Sequence, residues 1–198
     1  MWQTLVDELE PHGFTLLAVA LDDSIEAIRP WAEQAPLTYP VLLDAEHRIA
    51  ELYGVVNVPA TVWVDERGVV VRPYAVAPGS DMFAEFSGIS CEPHHDALRR
   101  WVVHGEAPMD DAEIERRQLL PSAEVQGARA ERRLASWLHR NGRDDEARAH
   151  YERAAALAPL DWTIRRGSMP ATGVDPFGAE FFAFAQEWTE AGKPDYEA

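Results

Sequence analysis

Asn57-Val58-Pro59-Ala60-Thr61-Val62-Trp63-Val64-Asp65-Glu66-Arg67-Gly68-Val69-Val70-Val71-Arg72-Pro73 decides the fold. It reads as a strand led by a proline, a tight turn and a returning strand. Ala60 to Val64 is apolar or β-branched except for Thr61, the composition of a strand buried on both faces. Pro59 opens that strand, where a missing N–H costs least. Asp65-Glu66-Arg67-Gly68 is polar and ends in glycine, which suits a hairpin turn with one residue at positive φ. Val69 to Val71 then returns.

Outward from this hairpin, helix and strand signals alternate. Toward the N-terminus, Trp2, Leu5, Val6 and Leu9 fall at helical spacing, and Pro11-His12-Gly13 stops that helix. Phe14 to Leu21 reads as a buried strand. Ser24 caps a helix to about Gln34 that buries Ile25, Ile28 and Trp31. Val41-Leu42-Leu43 is a short strand, and Glu46 to Tyr53 a helix with Ile49, Leu52 and Tyr53 inward. After the hairpin, 74–93 is rich in Pro, Gly and Ser, with Phe83, Phe86 and Ile89 interspersed. His95 to His104 is a helix, and a polar connector begins near Pro108. The second half is helical: Ala128–Arg140, Asp144–Ala158, a third helix over 160–166, and a last one over 176–191 carrying Phe177, Phe181, Phe182, Phe184 and Trp188.

The formal net charge of the 198 residues is −16, and both halves are acidic. That argues against nucleic acid and anionic membrane surfaces as partners. Cys91 is the one cysteine, so neither an intrachain disulfide nor a Cys-X-X-Cys pair exists. No segment of about 18 apolar residues predicts a membrane span, and nothing near Met1 reads as a signal peptide. A cytoplasmic location is the expectation. No Gly-rich phosphate loop and no Ser/His or Cys/His nucleophile pattern appears. Asp22, Asp23, Asp44 and Glu46 read as helix-capping carboxylates. Cys91, His94 and His95 are metal-ligand types, but without a second cluster the reading is a loop thiol beside a helix start.

In order, Phe14–Asp22, Tyr39–Asp44, Ala50–Val55 and Val58–Gly68 resemble the ResA/TlpA-type redoxins of the thioredoxin-like fold. The resemblance covers roughly residues 2–104. It implies an α/β three-layer sandwich, thiol–disulfide oxidoreductase activity, and a substrate-binding cis-proline loop at Val58, Pro59 and Ala60. It also implies a first strand and a Trp-X-X-X-Cys-type motif, neither of which the chain contains. A related group carries a Trp-Ala-X-X-selenocysteine-Gly-Cys motif there, so an N-terminally incomplete, redox-dead redoxin is the expectation. No catalytic residue, metal or cofactor is assigned, and Cys91 is a free thiol. The alternative is a non-catalytic module that binds a protein segment.

In the second half, Leu134, Ala135, Leu138, Gly142, Ala147, Tyr151, Ala154 and Pro159 resemble one tetratricopeptide repeat, with Glu131 at a position usually held by Trp. The resulting division is a redoxin-like domain at 1–108, a linker at 109–126 and a small all-α, tetratricopeptide-like domain at 127–198. A protein partner is the expectation for the helical part.

Overall fold

The structure, a computed structural model, describes residues 2–34, 36–77, 79–81, 84, 90–118 and 120–192. Phe83, Phe86 and Ile89 lie outside these residues. The chain divides into two compact units, Met1–Leu119 and Leu120–Ala198.

The first unit runs α1 (Trp2–Leu9), β1 (Ala18–Ala20), α2 (Ile25–Gln34), β2 (Val41–Leu43), α3 (Arg48–Leu52), β3 (Ala60–Val64), β4 (Val70–Val76), α4 (Glu92–His104) and α5 (Asp111–Arg117). A short 3₁₀ turn, Glu10–His12, follows α1, and Gly13 closes it at φ 86°. The strands form two separate ladders among the described residues: β1 with β2, parallel, and β3 with β4, antiparallel.

The hairpin forms where its sequence directs. Gly68 sits at φ 80°, and Asp65 holds the turn by accepting from the Arg67 and Val69 amides through Oδ1 at 3.0 and 2.9 Å. The return strand extends past Val71 to Val76, and its register shifts between the Trp63–Arg72 and Thr61–Ala75 pairs. Pro73 lies in that interval. It has no N–H for the ladder, so an irregularity is where it fits.

The core of this unit is Leu5, Leu9, Trp63 and Leu98, with Phe14, Val71 and Trp101 against it. The helical spacing of α1 thus works as read: Leu5, Val6 and Leu9 are buried. The strand β3 does not match its reading. Only Trp63 is buried along it, and Val64 is 41 % exposed. One face of the hairpin packs on α1 and α4, while the other has less cover.

Further corrections fall on the 14–53 region. The paired part of the predicted Phe14–Leu21 strand is Ala18–Ala20 alone, and Leu17 is 57 % exposed. In α2, no residue is buried and Trp31 is 76 % exposed. In α3, Ala50 is buried and Leu52 is 77 % exposed. These elements carry the right local signals, but among the described residues β1 and β2 pair only with each other and cover little of the adjoining helices. The Asp44 reading as a cap holds: its carboxylate accepts the Arg48, Ile49 and Ala50 amides at 2.8, 2.8 and 3.0 Å.

The segment read as a linker, 109–126, contains α5, which packs on β4, and the first turn of the next helix. Asp110 caps α5 by accepting from the Glu113 amide.

The second unit contains α6 (Ala123–Arg140), α7 (Asp144–Leu157), α8 (Trp162–Ser168) and α9 (Ala179–Glu190). Small residues let α6 and α7 approach: Ala128, Ala135, Ala147 and Ala154 are each at most 2 % exposed. Tyr151 fills the remaining space, and its hydroxyl lies 3.1 Å from Ser136 Oγ. In α9, Phe184 and Trp188 are buried against Met169 and Trp162, whereas Phe182 is 63 % exposed and Phe177, ahead of the helix, 69 %. The aromatic cluster is therefore only partly core.

Two stability outcomes follow. Replacing Leu9 by Ala is expected to cost about 2–5 kcal/mol in the first unit. Ala154→Leu is expected to cost about 1–3 kcal/mol in the second by overpacking the α6–α7 contact. Urea unfolding of each variant, followed by circular dichroism, measures both.

Candidate functional site

The proline-led end of the hairpin is held by its surroundings. The Val58–Pro59 peptide bond is cis. The Pro59 carbonyl accepts from the Ala77 amide at 3.0 Å, so the loop is tied to the far end of β4. The Val58 amide donates to Asn57 Oδ1 at 2.9 Å. Val58 is 59 % exposed, Pro59 is exposed and Ala60 is half-buried. The three residues form a fixed, accessible edge. An approaching extended segment would have to displace Asn57 to use the Val58 amide.

Behind this loop sits a polar cluster that the sequence pattern did not single out as a unit. His94, in the first turn of α4, is 7 % exposed. Its Nε2 lies 3.3 Å from Thr61 Oγ1, two residues beyond Pro59, and its Nδ1 lies 2.5 Å from Arg72 Nη1 on β4. A guanidinium can only donate, so Nδ1 accepts and the ring proton sits on Nε2, donating to Thr61. The Trp63 and Trp2 rings meet His94 edge-on at 5.2 and 6.1 Å. Burial first, then the charge of Arg72, lower the His94 pKa to about 3. The imidazole is therefore a neutral bracket joining α4, β3 and β4.

Trp2 brings α1 to the same place. Its indole contacts His95 edge-on at 5.2 Å, and a Cβ at Gly79 would fall 2.7 Å from Trp2 Nε1. Only glycine lets the chain after β4 lie so close to the indole. His95 is 4 % exposed, and its Nε2 has no hydrogen-bond partner among the described residues.

Cys91 occupies the N-cap of α4, earlier than the predicted start at His95. The Asp81 carboxylate accepts from the Cys91 amide at 2.7 Å. Burial first, then the hydrogen bond from the thiol to Asp81, push the Cys91 thiol up from its usual value. A helix N-terminus favours a thiolate, but burial beside a carboxylate opposes it and prevails here. The thiol is 6 % exposed and reduced. The metal reading for Cys91, His94 and His95 does not assemble: no group of three His, Cys, Asp or Glu among the described residues could hold an ion. The reason is direction. Cys91 turns to Asp81, His94 to Thr61 and Arg72, and His95 to Trp2.

Sequence comparisons agree with the architecture of the first unit. Residues 2–72 match the AhpC/TSA family. The chain is 21 % identical over 84 residues to a protein named thiol-disulfide oxidoreductase ResA from Halalkalibacterium halodurans. That match covers 42 % of this chain and 48 % of the relative, so the chain spans about half the length of the curated relative it matches. No solved structure matches significantly. The two sequence matches support a thioredoxin-like redoxin, and the family match takes in the proline-led hairpin as far as Arg72.

The His94 bracket has a pH signature. Above its ordinary pKa of 6.5 the ring is neutral in folded and unfolded chains alike, and its contribution does not vary. From 6.5 down to about 3, the unfolded chain takes up a proton that the folded ring refuses. Stability therefore falls as pH falls through that window, by at most ~1.4 kcal/mol per pH unit from this group. His94→Gln keeps one donor and one acceptor without titrating. Urea midpoints of the wild type should drop more steeply than those of His94→Gln between pH 6.5 and 4.5, and parallel slopes would rule the bracket out.

Proposed function

We propose that the first unit is the substrate-docking part of a ResA/TlpA-type thiol–disulfide oxidoreductase and that these 198 residues do not themselves perform exchange. The observation that carries this reading is the pairing of an accessible Val58-Pro59-Ala60 edge with a thiol that is buried and bonded to a carboxylate. Exchange requires attack by a thiolate on a disulfide sulfur. Cys91 is held as the thiol, and the chain has no second cysteine. The edge is suited to an extended protein or peptide segment, held by strand-like pairing with the backbone around Val58.

The reactive chalcogen, cysteine or selenocysteine, is then carried on residues outside this sequence. Two features support that placement. The chain has no Trp-X-X-X-Cys-type motif, and the two ladders of the first unit are not joined among the described residues, which leaves strand edges free for a further strand. Translation of the DNA 5′ of the Met1 codon, read through any in-frame stop, tests it directly. An upstream frame without a cysteine or selenocysteine motif would overturn the redoxin reading.

A second reading is favoured by the surface of α6, where Leu134 and Trp137 are 43 % and 46 % exposed one helical turn apart. In it the helices of the second unit, a tetratricopeptide-like pair, bind a protein partner without catalysis.

The two readings share a first measurement. In an insulin-reduction assay the chain is expected to give no turnover above the dithiothreitol background, and Cys91→Ser to leave that unchanged. Turnover abolished by Cys91→Ser would show that Cys91 is an active thiol after all. Separately, Val58→Asp is expected to weaken binding of an extended apolar peptide at least tenfold if docking is at the proline-led edge.

A further inference from the structure

Arg72 is an exception among the arginines of the first unit. Every other one there pairs with an Asp or Glu within 4 Å. Arg72 is half-buried and has no carboxylate partner among the described residues. Its Nη1 donates to neutral His94, and its guanidinium carbon lies 4.8 Å from the Trp63 ring centroid. The one charge that acts on it appreciably is that of Arg117, which repels it.

A guanidinium has five N–H donors in a planar fork. With Nη1 turned to His94, the edge formed by Nε and Nη2 has no partner among the described residues. Two parallel N–H groups on one edge match the two oxygens of a carboxylate. A charge withdrawn from water needs either a partner or a neutral form, and arginine does not deprotonate in proteins. In a chain of net charge −16, a half-buried cation with no carboxylate partner among the described residues is a local excess of positive charge against an acidic whole.

We infer that the Nε/Nη2 edge of Arg72, backed by Trp63 and fixed by His94, is a binding site for a small carboxylate. A planar monoanion suits it better than phosphate. The site offers one uncompensated charge, since Arg117 is itself paired with Glu113. The inference does not depend on redoxin chemistry.

Acetate is the probe. The full chain is titrated with sodium acetate at constant ionic strength, with sodium chloride and sodium phosphate as parallel arms. Tryptophan fluorescence reports Trp63, and ¹⁵N NMR reports the Arg72 Nε–H. Acetate is expected to give a saturable change in both, with phosphate at least threefold weaker and chloride linear. Arg72→Lys, which keeps the charge but loses the fork, should weaken acetate at least tenfold, and Arg72→Met should abolish saturation. Superimposable acetate and chloride curves, or saturation retained in Arg72→Met, would overturn the site. Phosphate binding more tightly than acetate would overturn the assignment to carboxylates. Should Arg72→Met fail to fold, the Nε–H titration of the wild type decides alone: no saturable shift means no site.

Discussion

The first unit depends on the packing of Trp63 between two helices. Its indole stacks on Trp101 of α4 at 5.3 Å and 19°, takes Leu5 and Leu9 of α1 beside it, and carries the Arg72 guanidinium on its face. A tryptophan buries a large apolar area, so one residue can gather a hairpin, two helices and a cation. His94 adds direction to that packing. It converts a non-directional apolar contact into a fixed register between α4, Thr61 and Arg72. The proline-led edge is accessible and still ordered because its anchors, Ala77 and Thr61, are on the packed side.

The part of the unit that lacks such a keystone looks different. Around β1, β2 and α2, apolar side chains such as Leu17, Ile25 and Trp31 are more than half exposed. The elements are held by backbone bonds that flank the β1–β2 ladder, Ala18 to Pro40 and Asp44 to Ala20, and by one local cap, the Asp44 carboxylate at the start of α3. Hydrophobic burial, the dominant favourable contribution to folding, is scarce there. The two regions share one unit but draw on different stabilising terms.

The chemistry of the site is set by environment more than by residue type. Cys91 is at a helix N-terminus, a position that activates thiols elsewhere. Here Asp81 accepts both its amide and its thiol, and burial removes water from around the sulfur. His94 and His95 are likewise held away from their charged forms, His94 by burial and Arg72, His95 by burial and Arg99. The thiol and the two imidazoles of the cluster are thereby held toward their neutral forms, while Asp81 is held toward its charged form and Arg72 stays a cation.

Much of the framework was legible in the sequence, because turn and cap signals are local. Pro59, Gly68, Gly13 and Gly105 fall where the chain turns, and Asp44 and Ser24 cap the helices they precede. The Ala-rich faces of α6 and α7 were readable for the same reason, since 3.6-residue spacing places small residues on one face. The limits appear where a residue's role depends on what lies opposite. Periodicity marked Trp31 and Leu52 as inward, but only packing decides whether a partner surface exists to receive them. Nor could spacing bring Trp2, Thr61, Arg72 and His94 together, because they belong to four elements separated by up to 92 positions. The sequence by itself determined the hairpin, its turn and the helix stops at Gly13 and Gly105. Tertiary structure alone decided that Cys91 is a silenced thiol and that Arg72 has no carboxylate partner among the described residues, since a pKa and a counter-charge are properties of neighbours.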